Sequence, residues 1–274
     1  MRVCRILMLS ALFTATPSAF VPSFVRERTL GSTARISHAH QTTQVLRMVY
    51  KKVFVAGGAR GVGRALIDKL VAQGSEVVAL VRREDAKEEL DAIDGVTAEV
   101  CDALDLKGVE SVLDGCDAAI STLGGIPDGD EEKRVDYTGN RNVIESAGIL
   151  GITRLVLVSS VGCGSSREAI SDAVYQVLEN ALKAKTKAEN MLLKYYTNSE
   201  WTIIRPGGLK NDAATRTAIL TEDSKVAGVI NRADVADLVV QALNSPRTVR
   251  KILTAIDPSE DGQRDAGRPE PFEL

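Results

Sequence analysis

Val53-Phe54-Val55-Ala56-Gly57-Gly58-Ala59-Arg60-Gly61-Val62-Gly63-Arg64-Ala65-Leu66 is the stretch that decides the fold. Four residues of a short apolar strand lead without a spacer into a glycine-rich turn, and a helix opens directly behind it. Such a turn leaves backbone N–H groups free at the positive end of a helix, and glycine lets a phosphate approach without meeting a β-carbon. Glycines in a loop are by themselves only a loop. Their placement between strand and helix is what argues for the pyrophosphate of a dinucleotide. The candidate contact residues are Gly57, Ala59, Arg60, Gly61, Val62 and Gly63.

Outward from this turn, the run Lys52 to Ala56 is the first of seven short apolar, β-branched runs. The others are Glu76 to Val81, Thr97 to Val100, Asp117 to Thr122, Arg154 to Ser159, Trp201 to Arg205 and Lys251 to Ile256. Runs such as Leu155-Val156-Leu157-Val158 lack polar alternation, which predicts strands buried on both faces. Helical patterns lie between them. The longest is expected over Asp172 to Tyr196, with Val174, Val177, Leu178, Ala181, Ala188, Met191, Leu192 and Tyr195 turned toward the core. The alternation predicts an α/β fold: a Rossmann-type, doubly wound parallel sheet of about seven strands in a single domain over residues 49–257. Pro258 to Leu274 is polar, contains three prolines and reads as a disordered tail.

Charge is spread unevenly. Residues 1–48 hold six arginines, no lysine and one acid, Glu27, whereas 36 acids face 28 bases beyond them. An acidic domain without a basic stripe is a poor match for nucleic acid, because binding there depends on neutralising phosphates with Lys and Arg. The two histidines, His38 and His40, also fall in the first segment. The folded part therefore lacks the imidazole that Ser/His or Cys/His catalysis and the usual zinc sites require. Cys4 aside, Cys101, Cys116 and Cys163 are odd in number and widely spaced, which makes neither a disulfide framework nor a CxxC metal site.

The first segment reads as an address. Arg2 and Arg5 precede an apolar run from Ile6 to Phe13, too short for the roughly 20 residues of a membrane span but suited to a secretory signal ending near Ala19. Phe20 to Met48 is rich in Arg, Ser and Thr and almost free of acids, like an organellar transit peptide. Pro17-Ser18-Ala19-Phe20-Val21-Pro22 resembles the Ala-Ser-Ala-Phe-Ala-Pro junction of algae with secondary plastids. Residues 1–48 are thus expected to be a signal plus plastid transit peptide, addressed to the stroma. A secretory signal followed by a linker is the plainer alternative.

Arg82 and Arg83 follow the second run, about 20 residues past the turn, where an acid would bond a ribose 2'-hydroxyl and an arginine pairs with a 2'-phosphate. Arg82, with Arg60 as a second contact, favours NADP over NAD. Glu84 argues the other way.

The GxxxGxG spacing of Gly57, Gly61 and Gly63 is similar to that of the short-chain dehydrogenase/reductase superfamily. Val135-Asp136-Tyr137-Thr138-Gly139-Asn140 looks like the start of its fourth helix. A more specific pair is Lys185-Thr186-Lys187-Ala188-Glu189 with Trp201-Thr202-Ile203-Ile204-Arg205-Pro206-Gly207-Gly208-Leu209. With Arg232-Ala233-Asp234-Val235-Ala236, it resembles the atypical members of the NAD(P)H-binding, NmrA-like group, such as the Tic62-type plastid dehydrogenase domain and flavin/biliverdin reductase B. The resemblance runs from Lys51 to Asp257 and implies one NADP-binding domain. It further implies that Asp102 bonds the adenine amino group, that Ser160 faces the substrate and that Lys187 holds the nicotinamide ribose. Asp102 or Asp105 alternatively caps the helix beginning near Leu106.

One departure matters. The superfamily's YxxxK pair supplies an acid/base tyrosine, but four residues before Lys187 stands Lys183, and Tyr175 lies twelve residues back, three helical turns away. Chemistry that draws little proton transfer from the protein follows: hydride transfer from NADPH to a small conjugated acceptor, flavin- or quinone-like, with Ser160 and Lys187 as the catalytic candidates. The rival reading is a non-catalytic, NADPH-dependent redox sensor or assembly factor with a plastid protein partner. Cys163 reads either as a redox-sensitive thiol near the nicotinamide or as a small buried residue.

Overall fold

The computed structural model describes residues 49–125, 134–259 and 269–274. The expected presequence, residues 1–48, lies outside the described residues. The described fold opens with β1 (Lys52–Ala56), α1 (Gly61–Ala72), β2 (Glu76–Val81), α2 (Glu84–Asp91), β3 (Val96–Val100) and α3 (Leu106–Leu113). After β4 (Ala118–Ser121), a π-helical turn at Val135–Gly139 runs straight into α4 (Asn140–Ile149). β5 (Arg154–Val158), a 3-10 turn at Gly164–Ala169, α5 (Asp172–Tyr195) and β6 (Glu200–Pro206) follow. Three short strands, β7 (Gly208–Lys210), β8 (Ile219–Thr221) and β9 (Val229–Asn231), precede α6 (Arg232–Asn244) and β10 (Lys251–Ile256).

The main sheet has the order β3-β2-β1-β4-β5-β6-β10-β8. Its first seven strands are parallel, and β8 joins antiparallel to β10. All seven expected runs are strands. The sequence reading missed β8 and the separate ribbon of β7 with β9, each strand of which has three residues, too few to display a period. Along β1, Val53 and Val55 join the core under α1, α2 and α6, while Phe54 and Ala56 join the core under α3, α4 and α5. Two covered faces explain the missing polar alternation.

Two expectations need correction. Helix α5 buries Leu182, Ala184, Ala188, Glu189 and Leu192, yet Val174 is 46%, Val177 73% and Tyr195 67% exposed. A helix of 24 residues is about 36 Å long, roughly twice the span of the five-residue strand β5. Its first turns therefore project past the sheet with no apolar surface to cover. The end of the tail is the second; residues 260–268 of it lie outside the described residues. Phe272 donates its backbone N–H to the Leu220 carbonyl at 2.7 Å, packs against the core and lies 5.9 Å beneath the Lys251 ammonium, while Glu273 pairs with Arg247 at 3.2 Å. An edge strand offers unpaired backbone groups, and Phe272 and Leu274 supply the apolar contacts that dock residues 269–274 on it.

At the amino end of the central strand β5, Arg154 is almost completely buried. Its guanidinium donates to the carbonyls of Leu243 at 3.0 Å, Ala242 at 2.5 Å and Glu200 at 2.6 Å, and to the hydroxyls of Thr202 and Thr248. The Ala242 and Leu243 carbonyls belong to the last turn of α6, where a cation offsets the negative helix end. Burial holds this guanidinium below its ordinary pKa. Arg154→Met is expected to cost at least about 3 kcal/mol of stability, because several buried acceptors lose their donor together. Urea unfolding measures this, and a loss under about 1 kcal/mol would contradict it.

Candidate functional site

Because β1 to β5 are parallel, their carboxyl ends share one edge, and the chain order reverses between β1 and β4. Ligands of doubly wound sheets bind at such a switch point. Here it is occupied by the glycine turn on one side and by Thr122, the residue after β4, on the other. The Thr122 hydroxyl donates to the Ala56 carbonyl at 2.8 Å and its N–H to the same carbonyl at 3.0 Å. Gly57 has a φ of +86° and Gly61 of +62°, both in the region that favours glycine. A β-carbon on Gly63 would stand 2.2 Å from the Gly57 carbonyl oxygen, so α1 approaches β1 only because that atom is absent. Helix α1 has no side-chain cap and no acid in its first turn. Its leading N–H groups are free for an anion, and the turn fits a dinucleotide pyrophosphate.

The other sequence-derived contacts lie along this edge. Ala59 is half-buried, and the Val62 side chain is buried in the core beneath the turn, which leaves only its backbone for a ligand. Arg60 and Arg82 are exposed. Glu84 is the first residue of α2, where its charge offsets the positive helix end. Asp102 follows β3 and accepts the Leu104 N–H at 3.0 Å, while Asp105 caps α3 by accepting from Lys107. Both aspartates thus bend the backbone, and Asp102 does so just past the carboxyl end of β3.

At the ends of β4 and β5 the structure departs from the sequence reading. Lys187 is exposed, with its ammonium 5.6 Å from the Tyr137 ring centre. The lysine that reaches the strand ends is Lys185, whose Nζ donates to the Leu123 carbonyl at 2.9 Å and the Val158 carbonyl at 3.5 Å. It also lies 3.8 Å from buried Asp136, which Arg134 clamps at 2.7 Å and which accepts the Gly125 N–H at 3.2 Å. Asn140 extends the network, donating to the Asp136 carbonyl and accepting from Ser121. The π-helical turn carries Asp136, in keeping with the habit of such turns to mark functional sites. Ser160 follows β5, half-buried, with its hydroxyl on the Val161 carbonyl at 2.9 Å. Moving the lysine does not restore a tyrosine, because Ala181 stands four residues before Lys185.

The paired motifs of α5 and β6 are a structural clasp. Arg205 grips Glu189 with two bonds of 3.1 and 2.7 Å, and both side chains are buried. Asp234 accepts the N–H groups of Thr215 and Arg216, fixing the loop before β8 to α6. Beside it, burial pushes the Asp257 carboxyl up, but hydrogen bonds from Thr215, Ser259 and Thr217 prevail and hold it below its ordinary value. Cys163 is fully buried. Burial first, then Glu189, pushes its thiol up, which favours the inert reading. Among the described residues, no cluster of three His, Cys, Asp or Glu could hold a metal, and no helix is long and apolar enough to cross a membrane.

Sequence reasoning missed Thr122, Asp136 and Lys185. It also missed Arg232, which stands beside Gly61 although it lies far along the chain. Asp136 and Lys185 were within the quoted motifs, but only the burial pattern of α5 separates Lys185 from Lys187.

Comparison with known proteins agrees with this architecture. Residues 57–246 match the NAD(P)H-binding family. A chloroplastic protein of uncharacterised function from Arabidopsis thaliana is 33% identical over 225 residues, covering 78% of this chain and 79% of its own. Sanguinarine reductase of Eschscholzia californica is 29% identical, with 70% of this chain and 84% of its own covered. Among solved structures, the anaerobilin reductase ChuY of Escherichia coli O157:H7 matches with a TM-score of 0.68 at 32% identity, covering 76% of this chain and 98% of that one.

Proposed function

The chain belongs to the NAD(P)H-binding family, as one of its atypical short-chain dehydrogenase/reductases, and from that premise we propose that it is an NADPH-dependent reductase of a small conjugated acceptor. The observation that carries the reading is Lys185, a lysine held at the ends of β4 and β5 with alanine in place of a tyrosine four residues before it and no histidine among the described residues. When bound, the nicotinamide supplies a hydride. The acceptor takes that hydride and one proton from water, so that NADPH, a proton and the oxidised acceptor become NADP and the reduced acceptor. Gly57, Gly61 and Gly63 seat the pyrophosphate, with the backbone of Ala59 and Val62 alongside. Arg60 and Arg82 read the 2'-phosphate and Asp102 the adenine. Lys185, rather than Lys187, holds the nicotinamide ribose, and Ser160 orients the acceptor. That sanguinarine reductase and an anaerobilin reductase share this architecture supports a conjugated acceptor. A plastid stroma address belongs to the reading, supported by the presequence pattern and the chloroplastic relative.

Titration with NADPH and NADH, followed by nicotinamide fluorescence, tests the cofactor choice. Arg82→Ala is expected to weaken NADPH about 10- to 100-fold, the worth of a hydrogen-bonded charge pair, and to leave NADH unchanged. Equal weakening of both would remove Arg82 from the 2'-phosphate. Steady NADPH consumption with flavins or quinones supports the reductase reading. Tight NADPH binding with no turnover over a broad acceptor panel would instead favour the sensor, which the absent tyrosine keeps as the second reading.

A further inference from the structure

Arg232 is the first residue of α6, and its guanidinium lies against the turn that opens α1. A β-carbon on Gly61 would be 3.5 Å from its Nε, so the guanidinium borders the open face of the turn. Its Nη1 donates to the Asn211 side-chain oxygen at 2.7 Å and faces the Leu209 carbonyl at 3.4 Å. Both partners are neutral. Asp234, two residues on, spends its carboxylate on the N–H groups of Thr215 at 2.9 Å and Arg216 at 3.0 Å. The first turn of α1 holds no acid.

Two positive features therefore converge at one place: the guanidinium and the amino end of α1, which has no acid in its first turn. Asp234 lies in the first turn of α6 and offsets that helix end, but its carboxylate is bound to the Thr215 and Arg216 N–H groups. Arg60, exposed in the turn before α1, adds to the field. A doubly charged group lying between α1 and Arg232 meets a positive partner on both sides.

We propose that Arg232 is a third cofactor-binding arginine, which clasps the pyrophosphate common to NADPH and NADH rather than the 2'-phosphate that tells them apart. The proposal rests on the reading that the glycine turn seats a dinucleotide. A planar fork suits the task, since one guanidinium can keep a bond to Asn211 while another N–H meets a phosphate oxygen.

Binding measurements on the full chain separate the possibilities, with NADPH, NADH and adenosine 2'-monophosphate, which carries the adenine and the 2'-phosphate but no pyrophosphate. Arg232→Gln is expected to weaken NADPH and NADH by the same factor, about 10- to 100-fold, and to leave adenosine 2'-monophosphate unchanged. Arg82→Ala is instead expected to weaken NADPH and adenosine 2'-monophosphate and to spare NADH. Asn211→Ala removes the present tether of the guanidinium without removing its charge, and is expected to spare dinucleotide affinity. Unchanged dinucleotide binding in Arg232→Gln would overturn the proposal. So would an equal loss in Asn211→Ala, which would make Arg232 a mere tether of the ribbon, or a parallel loss of adenosine 2'-monophosphate, which would signal a distorted site. Should the unmodified protein bind neither dinucleotide, the cofactor reading itself falls, and Arg232 with it.

Discussion

Gly63→Ala is expected to lose NADPH affinity by roughly 100-fold or more, about 2.8 kcal/mol at 1.4 kcal/mol per factor of ten. The added methyl would sit 2.2 Å from the Gly57 carbonyl oxygen, 2.7 Å from the Thr122 hydroxyl and 2.8 Å from the Gly57 carbonyl carbon. Two of these neighbours are backbone, so no side chain can swing aside to relieve the clash. Relief comes only if the start of α1 moves away from the end of β1, which withdraws the leading N–H groups from the phosphate. The same movement disturbs a packed helix, at about 1–3 kcal/mol of stability. Nicotinamide fluorescence and urea unfolding read the two effects separately. A folded variant with unchanged affinity would mean that the pyrophosphate does not lie on this turn.

The second large effect separates two lysines. Lys185→Met is expected to lower kcat/KM by about 100-fold, the scale of a reacting group misplaced by an ångström, whereas Lys187→Met stays within about threefold. Lys185 is the one whose ammonium meets the ends of β4 and β5, and Asp136 keeps Arg134 when it is removed, so no buried carboxylate is orphaned. Steady-state NADPH oxidation across an acceptor series decides between them. A loss confined to Lys187→Met would give the ribose to the exposed lysine instead.

The strand framework was legible because burial on both faces writes itself into unbroken runs such as Arg154 to Val158, and because Gly57 to Gly63 joins a strand to a helix without slack. The phase of α5 was not. Val174, Val177 and Tyr195 suggested part of an apolar stripe, but they lie in the end turns of the helix and are exposed. The row Leu182, Lys185 and Glu189 contains two charged residues, each buried or nearly so by a partner distant in sequence. Hydrophobic periodicity is blind to such a row, since a buried ion pair looks like surface in one dimension. Arg232 was hidden for a related reason, as its neighbour Gly61 lies far back along the chain.

The Arg154 clasp has a meaning beyond stability. It gathers β5, β6 and the end of α6 at the amino edge of the sheet, as far from the glycine turn as the strands allow. This clasp is thus held apart from the ligand-binding edge, so substitutions at that edge leave it intact. A lineage built this way can exchange one acceptor for another while remaining folded at each step. Reductases whose names cite compounds as different as sanguinarine and anaerobilin, at about 30% identity to this chain, are what such a division would leave behind.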